Sequence, residues 1–225
     1  EEMAIGAVKL GAPQIGQAAD LTVDGSAQMA DGEADQPLRL VRLDGTEGLF
    51  DLQAGFSNST RQLTANHDVQ EAEGGLIASL ARIPGTPSLA LTVSGEDPIS
   101  DFEATLALST DDVQRLAGTV RLTESTVPAA DTASPPVVQQ IIDAQLGGDV
   151  TALFIPEYKP FFGDNVAFDL RGTRTPDVGI SVETLNLTSA ALDLTGRVDL
   201  TPSFAPSLID VSGTVATALN LPVVL

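Results

Sequence analysis

Apolar and polar residues alternate with a period of two along most of the chain. In Asp101-Phe102-Glu103-Ala104-Thr105-Leu106-Ala107-Leu108, the residues Phe102, Ala104, Leu106 and Leu108 share one side, while Asp101, Glu103 and Thr105 take the other. That spacing predicts a half-buried strand, because successive side chains of a strand point to opposite faces. The same pattern recurs at Phe50-Leu52-Ala54-Phe56, Leu63-Ala65-His67-Val69, Leu89-Leu91-Val93, Leu116-Gly118-Val120-Leu122, Val166-Phe168-Leu170 and Ile209-Val211-Gly213-Val215. From Ile180 to Leu200 it runs through Ile180 and Val182, slips one phase to Leu185 and Leu187, then resumes at Leu192, Leu194, Gly196, Val198 and Leu200. A slip inside such a run predicts a bulge or a turn. Acidic and glycine turns such as Asp24-Gly25, Asp44-Gly45 and Gly95-Glu96-Asp97-Pro98 separate the strands. The spacing predicts roughly eleven to thirteen strands.

Helical spacing appears in two places. Leu76, Ile77, Leu80 and Ile83 predict a short helix over 75–83 that Pro84-Gly85 stops. Further on, Thr126 to Ala133 reads as a loop or linker. Ser134 then suits an N-cap, and Val137, Val138, Ile141, Ile142 and Leu146 share a helical face up to Gly147-Gly148. Asp149 can cap another short helix with Val150, Leu153 and Phe154, before Phe161-Phe162. This predicts three segments: strands over 1–125 with the first helix inside them, a loop and helical insertion over 126–162, and strands again over 163–225.

A strand with one apolar face must bury that face. The sheet can pack on a partner sheet, or curl into a trough whose inside is left for a ligand. Only 4% of the residues are aromatic, there is no Trp, and the apolar mass is Leu, Val, Ile and Ala. Few such residues fill the centre of a wide trough, which favours the open arrangement. Its lining is then Leu52, Phe56, Leu89, Leu91, Val93, Phe102, Leu106, Leu108, Val120, Leu122, Val166, Phe168, Leu170, Leu192, Leu194, Val198, Ile209 and Val211.

Charge narrows the function classes. The chain has 31 acidic and 11 basic residues, a net charge of -20. That field repels phosphate backbones, so no nucleic-acid partner is expected. There are no cysteines, hence no disulfide, zinc-thiolate site or Cys nucleophile. His67 is the one histidine, and its phase places it among Leu63, Ala65 and Val69 rather than in a catalytic group. Asp31, Glu33 and Asp35 alternate around Gly32 but lack the spacing of a calcium loop. No phosphate-binding glycine motif or Gly-x-Ser-x-Gly elbow is present, so no cofactor, metal or enzymatic activity is expected. No apolar run approaches the ~20 residues of a membrane helix. The Glu1-Glu2 start reads as part of a longer protein whose anchor lies elsewhere.

Three stretches together resemble the TamB/AsmA-like family of envelope proteins. The first is Leu21-Thr22-Val23-Asp24-Gly25-Ser26-Ala27 with Leu43-Asp44-Gly45 and Gly48-Leu49-Phe50-Asp51-Leu52. The second is Gly74-Gly75-Leu76-Ile77-Ala78-Ser79-Leu80, Ile83-Pro84-Gly85 and Leu89-Ala90-Leu91-Thr92-Val93-Ser94-Gly95. The third is Ile155-Pro156-Glu157-Tyr158-Lys159-Pro160-Phe161-Phe162-Gly163 leading into Leu192-Asp193-Leu194-Thr195-Gly196-Arg197-Val198. The resemblance implies an all-β, elongated curled sheet, a U-shaped β-taco with two short helical insertions. It also implies a periplasmic segment of an inner-membrane-anchored protein that moves phospholipid, or another acyl-chain ligand, toward the outer membrane. The partner TamA and nascent outer-membrane β-barrels would be met through other parts of the full-length protein. Strand addition to such a barrel, or a structural β-solenoid, are the alternatives.

Overall fold

The computed structural model describes residues 2–11, 17–26, 28–30, 32–128 and 136–216. Fourteen strands form one antiparallel sheet: β1 (Glu2–Leu10), β2 (Ala19–Ser26), β3 (Gln28–Ala30), β4 (Glu33–Arg42), β5 (Gly48–Ser57), β6 (Gln62–Glu71), β7 (Leu89–Pro98), β8 (Asp101–Thr110), β9 (Val113–Val127), β10 (Val137–Gly148), β11 (Val166–Thr175), β12 (Gly179–Thr188), β13 (Leu192–Leu200) and β14 (Pro206–Val215). They follow one another in chain order, apart from β3, which pairs only with β4. The sheet is all-β, curled and not closed. Two short helices interrupt it, α1 (Leu76–Leu80) and α2 (Lys159–Phe162), with a 3-10 turn over Thr151–Leu153.

The predicted strands stand, and the phase slip is a bulge. Leu170 pairs Leu185 and Gly172 pairs Val182, so Glu183 and Thr184 take up the extra residue and Val182 and Leu185 keep one face. Pro37 sits inside β4, where a missing N–H usually breaks a ladder. It is tolerated because β4 changes neighbour there, pairing β3 through residues 33–35 and β2 through residues 38–42.

Some expectations fail. Asp24-Gly25 and Gly95-Glu96-Asp97-Pro98, expected as turns, lie inside β2 and β7, where neighbouring strands pair them. Residues 137–148, expected as the core of a helical insertion over 126–162, form strand β10. Residues 137–147 pair β9 on one side and residues 140–148 pair β11 on the other. Val137, Val138, Ile141 and Ile142 are β-branched and suit a pleated surface. Two neighbouring strands each offer a continuous ladder, and that outweighs a helical face with nothing to pack against. The segment therefore joins the two strand regions into one sheet. Ser134 and most of the expected linker lie outside the described residues. The helical part of the insertion shrinks to residues 151–162.

The two connectors that carry helices leave the same margin of the sheet. Residues 72–88 with α1 join β6 to β7, and residues 149–165 with α2 join β10 to β11, both at the strand ends that carry Arg42, Glu71 and Thr110. The opposite margin carries tight turns, for example 99–100, 176–178 and 201–205.

Candidate functional site

Cross-strand registers put the apolar positions in rows that run across the strands. One row passes through Leu38, Leu52, His67, Val93, Leu106, Gly118, Leu146, Phe168, Leu187, Leu194 and Gly213, one residue from each strand of β4 to β14. A second, nearer the helical margin, holds Leu40, Phe50, Val69, Leu91, Leu108 and Leu116. Toward the other margin come Ala104, Val120, Ala144, Leu170, Leu185, Gly196 and Val211, then Phe102, Leu122, Ile142, Gly172, Val182, Val198 and Ile209. The remaining positions Phe56, Leu89, Val166 and Leu192 lie on the same face. All eighteen residues singled out from the alternation therefore share one side of the sheet. Leu146, Ile142 and Ala144 belong with them but were hidden by their helical spacing. Leu38 and Leu40 were hidden by Pro37 and the polar start of β4.

The opposite face is polar. Gln53, Asn66, Ser94, Thr105, Thr119, Gln145, Asp169, Asn186, Thr195 and Ser212 form one ladder across it. Arg121 pairs with Glu103 there, while Arg61 pairs with Glu124, which shares the phase of Leu122 at the margin of the apolar face. Such exposed pairs contribute little stability each.

The connectors cover the apolar face toward the helical margin, and toward the other margin Phe102, Ala104 and Val182 are buried as well. Leu76 packs with Ala19 and Leu21, while Ala78 and Ile83 pack with Val69 and Leu89 against Phe50, Leu52, Leu91 and Leu153. Curling of the sheet brings β2, β5 to β8 and the segment after β10 round this plug. Glu71 is buried at 4% exposure and its carboxylate accepts from the backbone N–H of Leu76 at 2.7 Å and of Ile77 at 2.8 Å. It therefore serves the helix start that no capping side chain of α1 itself serves. Arg42 donates to the Gly74 carbonyl at 3.2 Å, and the Gln17 amide donates to the same oxygen at 2.9 Å. The second connector is tied down likewise: Ala191 N–H donates to Phe161 O, Ala190 N–H to Phe162 O, and Phe154 stacks on Phe162 at 3.9 Å. Asp149 accepts from the Thr151 N–H at 2.9 Å from one position before Val150, which is the N-cap of the 3-10 turn in place of the Asp149 cap expected.

Four strands leave the face open. β9, β10 and β13 lie well inside the sheet, yet none of their residues is buried. In β14 every residue is exposed, Ile209 at 66% and Val211 at 44%. Large exposed apolar patches are uncommon on monomers without a partner or ligand.

Arg42 Nε donates to Asp44 Oδ1 at 2.7 Å, with the Arg42 side chain almost wholly buried. That hydrogen bond holds the Asp44 carboxyl below the ordinary aspartate value of 3.8. A carboxyl depressed in the folded state contributes stability above its unfolded pKa, and that contribution disappears as pH falls through the folded value. Asp44→Asn is thus expected to be less stable than the parent at neutral pH, with the gap narrowing below pH 3.8. Thermal unfolding across that range checks this, and a gap independent of pH contradicts it. Of the acidic trio near Gly32, Asp31 lies outside the described residues and Glu33 accepts from the Ser59 N–H at 3.1 Å.

Comparison with protein-family models, curated proteins and solved structures gives no match. The reading therefore rests on the geometry. No helix among the described residues is long and apolar enough to cross a membrane.

Proposed function

We propose that the chain is a length of lipid-conducting trough, a periplasmic segment of an anchored bridge protein of the TamB/AsmA-like kind. Acyl chains would lie on the apolar face, along rows that pass from strand to strand. The observation that carries this is the absence of any buried residue in β9, β10 and β13, although most of their inner positions are aliphatic. In a filled sandwich those positions would be the core. Each acyl methylene held off water there gains about 0.8 kcal/mol. A row without charged side chains lets a chain slide without meeting a high barrier. Transport in this form needs no reacting group, cofactor or metal. TamA and unfolded barrels would be met by parts of the longer protein beyond this segment.

Leu106 and Leu194 stand in the central row, and Thr195 follows Leu194 on the polar face. Replacing Leu106 and Leu194 with Asp is expected to cut co-purified lipid at least fivefold, since a charge in hydrocarbon costs several kcal/mol, of which about 1.4 kcal/mol makes tenfold. Thr195→Asp should leave loading near the parental level. Mass spectrometry of extracted lipid reads the result, and equal loading in all variants would remove the trough from consideration.

One observation favours strand addition as a second reading. Among the described residues β14 is paired on one side only, and within it only Asp210 is charged, with no lysine to block pairing. A lipid-free preparation that still captured an extended amphipathic peptide at this edge would favour it.

A further inference from the structure

His67 interrupts the central row. From Leu38 to Gly213 that row is aliphatic, aromatic or glycine except at His67. Leu52 and Val93 flank the ring from the neighbouring strands, and Ala65 and Val69 lie two residues away on the same face. Its Nδ1 is enclosed and has no hydrogen-bond partner. Buried polar atoms are paired in the great majority of cases, so an imidazole kept here among aliphatics calls for a use. A bare acceptor is tolerated inside a protein better than a bare N–H. With Nδ1 left as a bare acceptor, Nε2 is the nitrogen on the other edge of the ring that can donate. The residue is half-buried and stands on the apolar face of the sheet.

We propose that His67 is the polar recognition point of the trough and hydrogen-bonds the acidic head, a carboxylate or phosphate, of an acyl amphiphile. The inference rests on the trough reading and names the ligand class. An anionic head approaching a chain of net charge -20 is repelled at long range, so selectivity for it needs a local donor. A hydrogen bond to a charged group in an apolar setting supplies one.

The test compares palmitate with hexadecanol, which share the hydrocarbon chain and differ in the head, by displacement of a fluorescent acyl probe from the purified chain. The parent is expected to hold palmitate about tenfold more tightly than hexadecanol. His67→Leu should abolish that preference while leaving hexadecanol binding unchanged, and His67→Gln, which keeps a donor, should restore part of it. Should His67→Leu fail to fold, His67→Ala, which also lacks the donor, should show the same loss of preference. A parent without preference, or a preference that survives His67→Leu, overturns the proposal while leaving the trough intact. Failure of both ligands to bind the parent removes the trough and His67's role together.

Discussion

Gly118→Ala is expected to destabilise the chain by about 3 kcal/mol or more, and to do so at the middle of the sheet. Gly118 stands in β9 between Leu106 of β8 and Leu146 of β10. A Cβ built there would fall well inside contact distance of the Gln145 carbonyl oxygen and close to the backbone of Leu146. Those atoms belong to a strand paired on both sides, so they cannot swing away as the end of a side chain could. Relief requires β9 and β10 to separate and gives up ladder hydrogen bonds on both sides of the site. For a chain of this length the loss corresponds to a fall in Tm of about 6–12 °C. Gly45→Ala is the control. Nothing lies within 4 Å of a Cβ there, and its φ of +96° leaves only backbone strain, of order 1 kcal/mol. Thermal unfolding of the two variants side by side decides the matter. A Gly118→Ala midpoint within about 2 °C of the parent would show that the two strands are not held so closely.

Glu71→Ala should cost about 3 kcal/mol and loosen the plug. The carboxylate bonds the buried Leu76 N–H and the part-buried Ile77 N–H at the start of α1, and its removal leaves both without that acceptor. Water cannot take its place easily, because Gly75 packs directly on the Glu71 side chain and Leu76 is buried at 6% exposure. A helix of five residues has too few internal bonds to hold itself together, so tertiary anchors decide whether it forms. Hydrogen exchange over residues 76–83 should therefore accelerate far more than exchange in β11 to β13. Glu71→Gln keeps one carbonyl acceptor and should show about half the loss. Unchanged protection of α1 in Glu71→Ala would mean that packing of Leu76, Ala78 and Ile83 alone holds the plug. If the plug does close one margin of a lipid trough, loosening it should also change how much lipid the chain retains.

Much of the fold was legible along the chain. Strand periodicity has only two phases, so each alternating run assigns its residues to a face without knowledge of the neighbours. This is why the eighteen inward positions chosen from alternation fall on one face. It is also why the slip between Val182 and Leu185 could be recognised before the bulge at Glu183 and Thr184 was seen. The failures have equally local causes. Residues 137–146 carry a pattern compatible with both periods, and Ile142, Ala144 and Leu146 can only be placed once β9 and β11 are known to flank them. Pro37 argues against a strand until β2 and β3 are seen to part beside it.

Alternation by itself determined that the chain is a sheet, that the sheet has one apolar side, and which residues make up that side. It carried no information on whether that side is filled. Filling depends on what lies opposite, and only the tertiary arrangement brings the connectors after β6 and β10 to one margin while β9, β10 and β13 stay uncovered. The physical reason is range: a side chain's face follows from its immediate neighbours along the backbone. Its cover comes from residues far away in sequence, whose position is set by the packing of the whole sheet.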